Sequence, residues 1–248
     1  MNFFKNNLAN AFTLGNLFSG CVGIVHLFSG DYETAAICIL VSLVLDFLDG
    51  FVARLLKSDS NLGAQLDSLA DMVSFGFLPG VAMMKLLEPF GNHLFGVELP
   101  FEIKYFGFLI TVFSCLRLAI FNLDDEQKYY FKGLNTPSNT ILIFGIYYFL
   151  MKENYLANKL FESSENIISF NLSFWLLLTI ISSWLLISPI KMISMKFKSK
   201  KLEDNYPKLF LLIGSILILV IFKIAGFPLI IIYYILISLG FQKDLKNS

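Results

Sequence analysis

Four aspartates constrain this chain more than any other feature. They lie between positions 46 and 71, as Asp46-Phe47-Leu48-Asp49-Gly50-Phe51-Val52-Ala53-Arg54 and, after eight residues, Gly63-Ala64-Gln65-Leu66-Asp67-Ser68-Leu69-Ala70-Asp71. Apolar runs precede and follow them. A carboxylate in such surroundings is costly unless it is paired or bound to a metal. Asp46, Asp49 and Ala53 recur at steps of three and four, so they share one helical face, with Gly50 beside it. Gly63, Asp67 and Asp71 are four apart and share one face of a second helix. The polar stretch 57–61 reads as the turn between the two. At 1.5 Å per residue, Asp46 stands about 16 Å above position 57 and Asp71 about 15 Å above position 61. A hairpin closed there brings the two acidic faces to one depth, with Asp46 able to face Asp71 and Asp49 able to face Asp67. Gly50 and Gly63 have no side chain to block close approach of a helix or a ligand.

The rest of the chain says what surrounds this hairpin. Of its 248 residues 56% are hydrophobic and only 15% charged, against about 25% charged in an ordinary soluble domain. Mean hydropathy is +0.69. The fold class expected is all-α, a polytopic membrane helix bundle. Formal net charge is zero, so no bulk basic surface signals a nucleic-acid partner. Cys21, Cys38 and Cys115 sit in apolar stretches without metal-ligand spacing and read as buried thiols. His26 and His93, the only two histidines, offer no histidine-based metal site.

Eight spans are expected, at about 11–28, 34–56, 62–86, 103–123, 136–151, 172–190, 209–224 and 227–241. The first apolar run has no persuasive small-residue cleavage site and reads as a span. In the first span Asn10, Thr13, Asn16 and Gly20 again recur at helical steps. They are either a small-residue packing seam or a polar edge facing the acidic hairpin. With both termini on one side, Lys85, Lys104, Lys152, Lys159 and Lys223 fall on the opposite side. The other fourteen of the nineteen Lys and Arg residues fall on the side of the termini. The positive-inside rule puts that side, and the mouth of the acidic hairpin, in the cytoplasm. The basic run 195–201 is either a positive-inside anchor or a contact with anionic headgroups.

Four carboxylates at one depth repel one another unless cations compensate them. Arg54 is the only nearby permanent cation in the pattern. Oxygen-only ligands suit Mg²⁺ or Mn²⁺, and two facing acidic helices can hold two ions. Hard ions near a membrane surface point to a phosphate substrate. An ion-coupled transporter is the reading from another class. The carboxylates lie toward the cytoplasmic half with glycines beside them, which favours an interfacial enzyme.

The eight fixed residues over positions 46 to 71, Asp46, Asp49, Gly50, Ala53, Arg54, Gly63, Asp67 and Asp71, resemble the signature of the CDP-alcohol phosphatidyltransferases at every position. The resemblance covers roughly residues 8 to 190. It implies a six-helix catalytic core (residues 1–190) followed by a basic connection and about two C-terminal spans (191–248). It implies a metal-dependent enzyme that displaces CMP from a CDP-linked lipid with an alcohol. By position, Asp46, Asp49, Asp67 and Asp71 would hold two ions, and Asp71 would also be the base for the alcohol. Asn10, Thr13, Gly50, Ala53, Arg54 and Gly63 would lie on the CDP-donor side.

Asn10-x-x-Thr13-x-x-Asn16-x-x-x-Gly20, Arg117-Leu118-Ala119-Ile120-Phe121-Asn122 and Phe131-Lys132-Gly133-Leu134-Asn135-Thr136-Pro137 are similar to the serine-accepting subgroup of that family. Ile120 stands where that subgroup often has arginine, and Asn135 where it often has proline. The resemblance implies CDP-diacylglycerol and L-serine as partners, with Arg117, Asn122 and Lys132 on the acceptor side. Glycerol 3-phosphate and inositol 1-phosphate remain rival acceptors, because Arg117 and Lys132 could equally meet a second phosphate. Arg117 also reads as a span-end snorkelling residue and Lys132 as a solvated loop charge. Such an enzyme would sit in a bacterial cytoplasmic membrane among phospholipids, as a monomer or a homodimer.

Overall fold

The computed structural model describes residues 2–56, 60–94, 96–124, 130–152, 165–194 and 205–242. The apex of the acidic pair at 57–59, Lys128, residues 153–164 and the basic run 195–201 lie outside the described residues. The molecule is an all-α membrane bundle. Among the described residues, five helical stretches are long and apolar enough to cross a bilayer: Leu8–Phe28, Tyr32–Leu56, Asn61–Phe90, Ile103–Leu123 and Tyr206–Gly240.

Helix α1 (Asn2–Phe28) turns back into α2 (Tyr32–Leu56) through Gly30, whose φ of +83° glycine accepts without strain. Asp31 caps α2: its Oδ1 accepts the Thr34 amide at 3.0 Å, and the bonds from Thr34 hold the Asp31 carboxyl below its ordinary value. Along α2, Ala35, Cys38, Ile39, Ser42 and Asp49 are buried, at the steps that mark one face of a helix.

The third span is not one regular helix. It runs as α3 (Asn61–Asp71), a π-helical turn (Met72–Phe77) and α4 (Leu78–Leu87). Nearly every residue of α4 is buried, so it is the central post of the bundle. Pro79 explains the π turn. It has no amide to give to the Phe75 carbonyl one turn earlier, and its ring crowds that carbonyl. In lipid an orphaned carbonyl must find a partner. The Thr140 hydroxyl donates to Phe75 O at 3.0 Å and the Thr111 hydroxyl to Gly76 O at 3.1 Å.

A short ribbon of β1 (His93–Leu94) and β2 (Val97–Glu98) and a 3-10 turn (Ile103–Phe108) lead into α5 (Leu109–Leu123). Strand β3 (Tyr130–Lys132) then precedes α6 (Thr136–Lys152) and α7 (Glu165–Ile187). Strand β4 (Lys191–Ile193) pairs antiparallel with β3, Phe131 opposite Met192 and Lys132 opposite Lys191.

Helices α8 (Tyr206–Phe222) and α9 (Gly226–Gly240) fold back on each other. The break expected at 225–226 falls at Lys223, whose φ is +50°. The Tyr233 hydroxyl then donates across the pair to Phe210 O at 3.0 Å.

The bundle's outer surface is apolar: Phe18, Leu55, Val220 and Ile221 are all mostly exposed. That surface corrects the reading of the cysteines. Cys38 is buried, but Cys21 and Cys115 are exposed. In a membrane protein an apolar neighbourhood in sequence faces lipid as readily as core, so hydropathy does not report burial.

Candidate metal centre and the pocket beside it

Helices α2 and α3 bring the acidic faces together. Carboxylate oxygens of Asp46, Asp49 and Asp67 all lie within 4.8 Å of one another. The Asp46 carboxyl also lies against that of Asp71. Asp49 and Asp71 are buried, and one oxygen of Asp67 is buried with no hydrogen-bond partner. Among the described residues, no lysine or arginine forms an ion pair with any of the four. Carboxylates held this close and uncompensated fit a hard divalent cation. The donor set is all oxygen, which suits a Mg²⁺-like ion rather than a soft one.

Helix α1 orients two of the four. Thr13 donates its hydroxyl to Asp49 Oδ2 at 2.7 Å. Asn16 donates its amide to Asp71 Oδ1 at 3.2 Å, and its own Oδ1 is buried without a partner. The Asn16 carbonyl accepts the hydroxyls of Ser42 at 3.2 Å and Ser74 at 3.0 Å, which ties α1 to α2 and to the π turn. Gly20 is the packing member of the series. A side chain there would run into Ser74. The polar edge and the packing seam are therefore the same stripe, polar near the carboxylates and small one turn beyond.

A pocket of about 310 Å³ opens beside the cluster, lined by Asn10, Thr13, Asp49, Gly50, Ala53, Gly63 and Asp67 together with Ala9, Ser60 and Ala64. Gly63 sits where two polar side chains crowd. A Cβ there would stand 3.1 Å from Ser60 Oγ and 3.4 Å from Asn10 Oδ1. Ser60 caps α3, its hydroxyl accepting the Gly63 amide at 3.0 Å. Sequence reasoning missed Ser60 as a pocket residue and Asn16 as the partner of Asp71. A serine just before a periodic segment is an N-cap signal that could have located the first.

Arg54 does not join this pocket. It lines a second chamber of about 610 Å³, with Phe131 of β3, Asn135 just before α6, Ser194 after β4, and Tyr234 in α9 among its walls. Arg117 is 5% exposed, which excludes a snorkelling side chain. Its Nε donates to Leu134 O at 2.7 Å, and its guanidinium lies 5.3 Å from the Phe121 ring centroid. Asn122 pairs with Ser68 of α3, its amide donating at 2.9 Å. Lys132 forms an ion pair with Asp124 at 2.8 Å.

Residues 6–181 match the CDP-alcohol phosphatidyltransferase family. The chain belongs to that family. Among the relatives of this phosphatidyltransferase-family chain, a CDP-diacylglycerol–serine O-phosphatidyltransferase of Helicobacter pylori is 33% identical over 137 residues, covering 54% of each chain. One of Saccharomyces cerevisiae is 32% identical, covering 59% of this chain and 55% of its own. One of Bacillus subtilis is 30% identical, covering 50% of this chain and 66% of its own. The matched part spans about half the length of the first two relatives. The four carboxylates, Thr13 and Asn16 all fall inside the family match.

Proposed function

We propose that the chain is a CDP-diacylglycerol–serine O-phosphatidyltransferase, which transfers the phosphatidyl group to L-serine and releases CMP. One observation carries the reaction class. The signature carboxylates converge beside a pocket whose lining includes glycines on both acidic helices. The serine assignment is supported by the names of relatives at 30–33% identity and by the 117–122 and 131–137 segments.

In this reading Asp46, Asp49, Asp67 and Asp71 hold Mg²⁺ or Mn²⁺, two ions in all. The bound metal supplies charge neutralisation for a diphosphate and for departing CMP. The other steps belong to the chain. Thr13 fixes Asp49, and Asn16 fixes one oxygen of Asp71. Asn10, Gly50, Ala53 and Gly63 leave room for the nucleotide, with Arg54 at the edge of the donor side. Asp71 takes the proton from the serine hydroxyl as its oxygen attacks the lipid-side phosphorus. The bond to CMP breaks as the new phosphate ester forms. Arg117 and Lys132 meet the serine carboxylate, and Asn122 offers its carbonyl to the ammonium.

The proposed arrangement is a six-helix core, residues 1–190, with two C-terminal spans. Both termini and the active site face the cytoplasm of a bacterial inner membrane. The deciding experiment supplies the purified protein with CDP-diacylglycerol and, in competition, L-serine, glycerol 3-phosphate and inositol 1-phosphate, with products resolved by mass spectrometry. Phosphatidylserine should dominate. A preference for either phosphorylated alcohol rejects serine and keeps the transfer chemistry. Absence of CMP release with any alcohol rejects both.

A further inference from the structure

The C-terminal helix lies beyond the family match, yet it is bonded to the strand that leads to Arg117. Gln242, just past α9, donates its amide to Lys191 O at 2.6 Å and to Ser238 O at 2.7 Å. Its Oε1 accepts the Lys191 amide at 3.3 Å. The Ser238 hydroxyl accepts the Ile193 amide at 3.2 Å, and the Tyr234 hydroxyl donates to Ile193 O at 2.9 Å. Strand β4 is thus fixed at both ends by α9. Pairing with β3 passes the restraint to Phe131 and Lys132.

The chain then turns through Gly133, whose φ is +76°. A Cβ there would stand 2.5 Å from Leu186 O. The Gly133 amide donates to Ile190 O and the Leu134 amide to Leu185 O, both at 2.8 Å. Leu134 presents its carbonyl to Arg117 Nε. One continuous set of bonds therefore runs from α9 through β4 and β3 to the two basic residues.

We propose that the C-terminal helix is a clasp that positions Lys132 and, through Leu134, Arg117, with Gln242 and Ser238 as positioning residues for acceptor binding. The proposal rests on the reading of Arg117 and Lys132 as acceptor-side groups. A bilayer anchor needs no hydrogen bonds from α9 to β4, whereas a clasp does. The side chains bonded to β4, Tyr234, Ser238 and Gln242, lie in the second half of α9 and just past it, while residues 227–232 of α9 are apolar.

Gln242→Leu removes all three Gln242 side-chain bonds with little change of volume. Amide exchange at residues 131–134 should accelerate at least about ten-fold, and the KM for the accepted alcohol should rise about 5- to 30-fold, as expected for one or two lost neutral hydrogen bonds. The KM for CDP-diacylglycerol should stay within about two-fold, since the donor-side contacts of α1, α2 and α3 are untouched. Ser238→Ala removes a single bond and should move the same two readouts in the same direction by less, which covers the case in which Gln242→Leu does not fold. Linking the strands by Phe131→Cys with Met192→Cys, in a background without the native cysteines, should restore the acceptor KM of Gln242→Leu.

Unchanged exchange at 131–134 in both variants overturns the clasp. Faster exchange with donor and acceptor KM unmoved, or moved equally, overturns its link to the acceptor. The exchange measurement needs no turnover. A chain that transfers to no alcohol would therefore refute the functional reading separately.

Discussion

Thr13 is the sharpest place to test whether the aspartates act as metal ligands. Its hydroxyl is 2.7 Å from Asp49 Oδ2, and both residues are buried. A hydrogen bond to a charged group contributes about 1.5 to 3 kcal/mol. Thr13→Val removes it at nearly constant volume and leaves a carboxylate oxygen without its donor. At 1.4 kcal/mol per decade this corresponds to about a 10- to 150-fold change in an equilibrium. Loss of a group that orients a metal ligand typically weakens metal binding about 10- to 100-fold. The two routes agree, so the Mg²⁺ concentration giving half-maximal CMP release should rise about 10- to 100-fold. Thr13→Ser keeps the donor and should stay within about three-fold. A second readout avoids turnover. Stabilisation by saturating metal follows RT ln(1 + [L]/Kd), so a site weakened by that factor loses about 1.4 to 2.7 kcal/mol of metal-dependent stability at fixed metal. A half-saturating metal concentration that does not move in Thr13→Val would refute the argument that Asp49 is a ligand held in place by α1.

Chelation should abolish CMP release and added Mg²⁺ or Mn²⁺ should restore it, while Asp67→Ala should stay inserted in the membrane and release no CMP at any metal concentration; full turnover after exhaustive chelation would defeat the metal role. Asp71→Asn should keep measurable binding of CDP-diacylglycerol and lose most turnover, read by separate equilibrium-binding and single-turnover measurements, and an unchanged rate at saturating metal and alcohol would remove Asp71 as the base. Arg117→Ala should raise the serine KM about 10- to 150-fold, the effect of one lost charge-assisted contact, and raise the donor KM less; equal increases would place Arg117 outside the acceptor side. In a background without native cysteines, Asn61→Cys should label from the cytoplasmic side and Glu98→Cys from the opposite side, and labelling of both from one side would overturn the topology.

The acidic centre was legible because side-chain chemistry and helical period point the same way. Asp46, Asp49, Asp67 and Asp71 each carry a cost that only convergence and a cation remove, and their spacing permits that convergence. Thr13 and Asn16 were legible as a stripe, though not as the partners of Asp49 and Asp71, since pairing α1 with one acidic face or the other is a matter of tertiary packing. Arg117 shows the opposite case. A cation near a span end has the same sequence signature whether it snorkels or is buried. Only the carbonyl of Leu134, seventeen residues on, decides between them. The β3–β4 ribbon was invisible for a related reason. Its strands are three residues each and about 60 positions apart, and neither carries the alternation that marks a half-buried strand. Cys21 and Cys115 were misplaced because hydropathy separates water from apolar surroundings and does not separate lipid from core.

The third span ties these observations to the chemistry. A regular helix from Asn61 onward would continue the periodicity of α3 into α4 unchanged. Pro79 prevents it, and the π turn that results begins directly after Asp71. The extra residue in that turn rotates everything beyond it relative to the acidic face, so α4 can be buried all round while α3 keeps Asp67 and Asp71 toward α2. The carbonyls disturbed by the turn are taken by Thr140 of α6 and Thr111 of α5, and Ser74 within it reaches the Asn16 carbonyl of α1. The backbone defect is thus held from three sides by hydroxyls, and Asn16 also holds Asp71. The residue assigned the proton therefore stands at a junction fixed by helices α1, α5 and α6. The chain has concentrated rigidity at that point and left the lipid-facing surface to apolar side chains without directional bonds.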